Sequence, residues 1–219
     1  MSYLNSDLDS NQTYNPYDYE NEVDNYNQTH YQLHFTNKPK KNLKLNASFH
    51  YTRGKGYFEQ YVGTDFNSVM YNSDYIFGKN LFSYYGLEDV IISGDTIRET
   101  NLIRRRWLDN HFYGLVYSAE YNKDKFQFTL GGGANQYLGG HYGEVIWSQY
   151  ASDGNIRERY YDNDATKNDI NIYGKFNYDI NSKISAYVDL QQRFISYDFI
   201  GLDQDGSDLS QIAELSFFN

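Results

Sequence analysis

The 219-residue chain has no cysteine and only two prolines. Without cysteine there is no disulfide framework and no thiolate metal site. The scarcity of proline leaves long stretches free to form uninterrupted backbone ladders. No run of about 18 apolar residues occurs, so no membrane-spanning helix is expected. Residues 1–28 lack a basic stretch followed by an apolar one, so no signal peptide is read there. Basic residues are outnumbered: 19 Lys and Arg stand against 29 Asp and Glu, a net charge of -10. A nucleic-acid groove needs a basic surface and is excluded on that ground. Aliphatic residues are sparse and mean hydropathy is -0.78.

Aromatic residues are what the chain has in quantity, with 25 Tyr and 14 Phe. They recur at every second position. Thr29, Tyr31, Leu33 and Phe35 alternate with Gln28, His30, Gln32 and His34. After "NKPKKN", Leu43, Leu45, Ala47, Phe49 and Tyr51 alternate with Lys44, Asn46, Ser48 and His50. The same period holds for Tyr113, Leu115, Tyr117, Ala119 and Tyr121, then for Phe126, Phe128 and Leu130. It holds again for Ile170, Ile172 and Phe176, then for Ile184, Val188 and Leu190. A period of two means strands with one apolar and one wet face. The spacing predicts strands over 28–36, 43–52, 111–121, 126–137, 168–178 and 184–196, paired antiparallel in sequence order.

At about 9 to 14 residues these strands exceed the usual ~5–6 and reach the ~9–11 needed to cross a bilayer. Short turns at 37–42, 122–125 and 179–183 alternate with long connections at 54–106, 139–167 and 199–210, the asymmetry of outer-membrane barrels. The fold expected is all-β, an antiparallel up-and-down transmembrane β-barrel, here about eight strands of a larger one. The apolar set just named then faces lipid. His30, His34, Lys44, His50, Gln127, Asn135, Lys175, Asp189, Gln191 and Arg193 line the other side.

The motifs that suggest chemistry have plainer readings. "LGGGANQ" lacks the Lys-Ser or Lys-Thr and the helix of a phosphate loop, so its glycines read as strand positions closely approached by neighbours. His30 and His34 lie ~13 Å apart on one strand face, too far to share a metal. "LDQDGSDLSQIAE" puts Asp208 where a calcium loop needs its turn glycine. "IRRRW", 103–107, reads as the start of a strand with arginines at headgroup level and Trp107 in an aromatic girdle. No catalytic grouping, metal site or cofactor site emerges, and no enzyme is expected.

The stretch "IRRRWLDNHFYGLVYSAEYNKDKFQFTLGGGANQYLGGHYGEVIWSQYASDGNIRERYYDNDATKNDINIYGKFNYDI", 103–180, resembles the β-barrel part of TonB-dependent outer-membrane receptors of the Bacteroidetes type. The closing "LSFFN" is similar to the start of a further barrel strand. The first half of the chain follows by pattern alone. The resemblance implies a barrel of ~22 strands with a plug domain. It implies import of a scarce nutrient, an iron-siderophore complex first, energised through TonB in the outer membrane of a Gram-negative cell. No plug domain or TonB-interaction segment is found in these residues. The chain is therefore expected to be an internal barrel segment, starting in an extracellular loop (1–27) and stopping mid-barrel. Its expected partners are outer-membrane lipid, the plug, TonB and a small nutrient ligand. Aromatic and Arg groups of the long connections are the candidate ligand anchors: Tyr57, Phe58, Tyr61, Arg106, Trp107, His141, Tyr142, Glu144, Trp147, Arg157 and Arg159. The alternatives are a passive porin, a glycan-importing receptor barrel and a soluble secreted β-rich binding module.

Overall fold

The computed structural model describes residues 19–63, 85–97, 100–150, 157, 159–202 and 207–218. These residues form strands and turns with no helix. The strands are β1 (Val23–Lys40), β2 (Leu43–Val62), β3 (Val90–Ile92), β4 (Asp95–Ile97) and β5 (Leu102–Lys123). They continue with β6 (Phe126–Ser148), β7 (Arg159–Asn181), β8 (Ile184–Ile200) and β9 (Gln211–Phe218). Seven of them make one sheet in the order β1-β2-β5-β6-β7-β8-β9, every neighbouring pair antiparallel. β3 and β4 form a separate hairpin. The six expected strands are all present in the expected order. "LSFF" closes β9, the seventh.

Two boundaries differ from the sequence reading. The strands are longer than expected: β6 and β7 each run 23 residues. Residues 23–27, 54–62, 102–106, 139–148 and 159–167 continue the ladders instead of forming loops. The reason is chemical. The alternation persists there, but ion pairs and rings replace aliphatic side chains, so a reading guided by hydropathy stops too soon. The second difference is the β3–β4 hairpin inside the presumed loop 54–106. Ser93 and Gly94 both have positive φ (54° and 94°), the two-residue turn that matches strand twist.

Register sorts the faces. Directly opposed residues share a face, so Leu33, Phe49, Leu115, Ala134, Ile170 and Phe194 form one cross-strand row. Leu43, Tyr121, Phe128, Phe176 and Val188 form another. Among the described residues nothing covers this apolar face, with Leu33 67%, Ile170 53% and Leu190 51% exposed. Among the described residues the hydrophobic core lies at the end of the sheet away from the short turns. There Val62, Leu102 and Val145 pack with Tyr85 and Leu87, and Val90 and Ile97 of the hairpin lean on them.

Gly131, Gly132 and Gly133 lie in the middle of β6. A Cβ on Gly131 would fall 2.5 Å from the Tyr173 ring; one on Gly132 would lie 2.4 Å from the Asn171 backbone oxygen. The glycines are seats for neighbouring strands, as the missing lysine and helix implied.

Candidate functional site

The polar face carries a cavity. A groove of about 760 Å³ is lined by residues that include Tyr26, Gln28, His30, His50, Asn110, Asn135, Tyr137 and Lys167. A cleft of about 260 Å³ shares Tyr26 with it and adds Phe58, Arg106, His141 and Tyr161. Tyr26 is the lining residue common to the two.

Their walls are set by local sequence. Gly54 and Gly56 of β2 let the Tyr26 ring lie flat across them, with the phenol oxygen 1.9 Å from where a Gly54 Cβ would stand. Gly114 performs the same service for His50, whose Nε2 reaches across β5 to Asn135 Oδ1 at 2.9 Å. His30 Nδ1 meets Thr52 Oγ1 at 2.9 Å and His34 Nδ1 meets Ser48 Oγ at 2.9 Å, so these imidazoles are bonded to hydroxyls. Tyr137 donates its hydroxyl to Asn110 Oδ1 at 2.9 Å. No cluster of three metal-ligating side chains occurs among the described residues.

Charge on this face is mostly cancelled. Lys44 pairs with Glu120, Lys175 with Asp189 and Arg193 with Asp169. Arg104 is buried, its Nη2 donating to Gln60 Oε1 at 2.7 Å and its Nη1 to the Tyr85 hydroxyl at 2.9 Å. His141 is held below the ordinary imidazole range, by burial first and by the Arg106 charge second. Burial pulls the Arg106 guanidinium down, and its interactions with the Tyr161 and Tyr160 phenols together outweigh that and hold it above its ordinary value.

The eleven sequence-derived anchors do not form one site. Phe58, Arg106 and His141 line the cleft on the polar face, and Tyr57 and Trp107 also border it. Tyr57, Trp107 and Tyr142 stand in one row on the opposite face, with Tyr57 and Trp107 ring centres 4.7 Å apart and Trp107 and Tyr142 stacked at 5.8 Å. Cations cap those rings: Arg105 lies 4.1 Å from the Tyr57 centroid and Arg159 3.7 Å from that of Tyr142. Glu144 accepts from Trp107 Nε1 at 3.0 Å. Tyr61 and Trp147 each pair with Ile103 at the end of the same sheet. Arg157 sits in a turn with φ 76°, its backbone N donating to Val145 O.

"IRRRW" opens β5 as expected, and alternation distributes its arginines. Arg104 and Arg106 take the polar face, and Arg105 takes the other, donating to Glu59 Oε2 at 2.7 Å. Of the calcium-like segment, 203–206 lie outside the described residues; Asp208 accepts from Ser210 N at 2.8 Å.

Sequence reasoning placed His30, His50 and Asn135 on the groove face but missed Tyr26, Asn110, Tyr137 and Lys167. The signal that finds them is parity: extending the two-residue period beyond the apolar stretch puts each one on that face. No known protein family and no curated protein matches the chain.

Proposed function

We propose that the chain forms a section of the wall of an outer-membrane β-barrel, with its uncovered apolar face against lipid and its grooved polar face toward the lumen. One observation carries this reading: an exposed apolar band in register across the sheet, fenced by polar or aromatic rows at both ends. At the turn end stand Tyr121, Phe126 and Phe176, with adjacent centroids 5.9 and 5.1 Å apart. At the other end Tyr51 and Tyr113 continue as a hydrogen-bonded row, Tyr113 to Gln136, Gln136 to Asn168 and Asn168 to Ser196. From Tyr113 to Tyr121 is about 27 Å along a strand at ~3.4 Å per residue. At a ~45° tilt that is about 19 Å of height, near the ~25 Å band of outer-membrane barrels. A soluble binding module needs a second layer over this face, and among the described residues none lies there.

Direction bears on closure. Seven strands alternating in direction leave β1 and β9 pointing the same way. An antiparallel barrel therefore needs an odd number of further strands between them, consistent with a segment of a larger wall. On the resemblance to TonB-dependent receptors, the whole imports a scarce nutrient, an iron chelate first, with a plug domain and TonB as partners.

The absence of cysteine makes the test direct. Single-cysteine variants at Leu115, Leu130, Ile172, Ser118 and Asn171 are spin-labelled in membranes of cells that make the protein. Collisions with oxygen should dominate at the first three positions and with a water-soluble nickel chelate at the last two. Equal nickel access at Leu115 and Ser118 would sink the proposal.

A further inference from the structure

We infer that the face carrying the apolar band holds one membrane lipid with a phosphoethanolamine-type headgroup, seated across β5, β6 and β7 where the band ends. The inference rests on the barrel-wall reading, which sets this face against lipid, and it names a partner that the wall binds. Two separate cavities lie there in consecutive rows of the same strands. An apolar hollow of about 510 Å³ includes Leu115, Ala134 and Ile170, with Gln136 and Asn168 on its border. A polar notch of about 420 Å³ begins in the next row and takes in His111, Thr166, Asp109, Gly140 and Asp164. Both form where β6 lacks a side chain. Ala134 stands between Leu115 and Ile170 in its row, and Gly140 stands between Asp109 and Asp164 in its own. A Cβ on Gly140 would lie 3.5 Å from Asp164 Oδ1 and 3.8 Å from Asp109 Cβ.

The chemistry changes row by row in the order of a lipid's own parts. On β7 the residues of this face run Asp164, Thr166, Asn168, Ile170, opposite Gly140, Leu138, Gln136 and Ala134 of β6. At ~3.4 Å per residue and a ~45° tilt, successive rows differ by about 5 Å in depth. Asp164 is in no ion pair among the described residues, whereas Asp109 is held by Arg53 and Lys55 and Asp162 by Arg159. Asp164 is thus open to a primary ammonium. One row deeper lie the Thr166 hydroxyl and the His111 imidazole. His111 Nδ1 meets the Tyr51 hydroxyl at 2.9 Å, and its Nε2 stands 3.9 Å from Asp109 Oδ1, beyond a hydrogen bond. Hydroxyl and imidazole can both donate to a phosphate. In the next row Gln136 donates to Asn168 Oδ1 at 2.7 Å and Asn168 to Ser196 Oγ at 3.1 Å. Each amide keeps a second proton for an ester carbonyl. The hollow over Ala134 then takes the first methylenes of a chain. Charge selects the head. The unpaired carboxylates Asp164 and Asp198 stand on the β7–β8 side, while on the β2–β5 side Arg53 and Lys55 share the single carboxylate of Asp109. This polarity complements a zwitterion, with phosphate toward β5 and ammonium toward β7, and repels a purely anionic head.

The test uses protein extracted in detergent from membranes of cells that make it, stripped of lipid and titrated with phosphatidylethanolamine or with phosphatidylglycerol of the same chains. Native mass spectrometry reads the lipid retained. One phosphatidylethanolamine should be held about tenfold more tightly than phosphatidylglycerol. Asp164→Asn should weaken phosphatidylethanolamine about tenfold, as expected for loss of one charge-assisted bond, and leave phosphatidylglycerol unchanged. Ala134→Leu, which fills the hollow at an exposed position, should weaken it about fivefold. Lys175→Gln on the other face should change neither lipid. Equal retention of phosphatidylglycerol, no response to Asp164→Asn, or competition by free phosphoethanolamine at the lipid's own concentration overturns the inference. So does absence of any preference in protein whose Leu115 and Ser118 labels report lipid and water; if those labels fail instead, the barrel-wall reading is what has fallen.

Discussion

The face that carries Leu33 and Phe49 has two halves built from the same strands by the same alternation, and they solve opposite problems. From Tyr51 and Tyr113 to the short turns, the side chains of β1, β2, β5, β6 and β7 on this face are uncharged and none is buried. Beyond Tyr51 the rows become Arg53 with His111, Lys55 with Asp109, Tyr57 with Trp107 and Tyr142, and Glu59 with Arg105 and Glu144. Here charges are neutralised in place, Glu59 is 5% exposed, and rings cover the guanidinium groups. A protein in water has no reason to segregate charge so sharply along one strand face. A strand that leaves hydrocarbon for water does: the apolar half needs no partners if lipid supplies them, while the charged half must satisfy its own groups.

The largest expected effect tests the apolar half. Leu130→Arg places a charge mid-band and should cost about 2 to 4 kcal/mol when the assembled protein is folded into vesicles, whereas Gln127→Arg on the other face should cost little. The reverse ranking would remove the distinction between the faces. In the charged half, Arg105→Ala leaves the buried Glu59 with only the Tyr19 hydroxyl among its described partners, at 3.0 Å. An abandoned buried carboxylate should cost about 2 kcal/mol. Denaturant midpoints for the pair Arg105→Ala and Arg105→Lys separate charge from geometry, and Lys should recover part of the loss.

The same contrast explains what could be read from the sequence. Where the alternation was apolar, strand positions, pairing order and face followed from the period alone, because nothing competes with a two-residue hydrophobic repeat. Where it turned to Lys55, Glu59, Arg105 and Asp162, the period survived but its contrast vanished, so strand was mistaken for loop. The β3–β4 hairpin was hidden for another reason: with three residues a side it is too short to show a period, and only Ser93-Gly94 marks it. The candidate site fared worst. Adjacent residues such as Tyr57 and Phe58, or Arg106 and Trp107, were grouped by proximity in sequence, and a strand sends neighbours to opposite faces.

Glycine substitutions sharpen the comparison at smaller cost. A Cβ at Gly132 would collide with the Asn171 backbone oxygen at 2.4 Å, and a strand cannot step aside without losing its ladder. At Gly131 the obstacle is the end of the Tyr173 side chain, which can swing. Gly174, on the apolar face, meets nothing within 4 Å. Gly132→Ala should therefore cost about 1 to 2 kcal/mol, Gly131→Ala less, and Gly174→Ala almost nothing. Thermal midpoints that ranked Gly174→Ala as the worst would mean that this face is packed against protein.

The smallest effect is a dependence on pH that Asp109 and His141 carry beyond Tyr51 and Tyr113, outside the apolar band, which holds no carboxylate or imidazole. Burial alone would raise the Asp109 carboxyl. Lys55 Nζ at 3.2 Å and Arg53 Nη2 at 2.5 Å outweigh it and hold the group below the usual carboxylate value. A carboxyl depressed in the folded state stabilises the fold above its unfolded value of ~3.9, and that contribution fades as pH falls toward the folded value. His141 is also depressed, so the unfolded chain takes up a proton first. Its contribution is complete above ~6.5 and declines as pH falls from there. The two windows do not coincide. Between pH 7 and 5 the denaturant midpoint should drift down in the parent and in Asp109→Asn but less in His141→Gln, while below pH 4 only Asp109→Asn should flatten the fall. A drift of equal size in His141→Gln would show that the imidazole is not the group responsible, and a band substitution such as Ile172→Val should leave both windows unchanged.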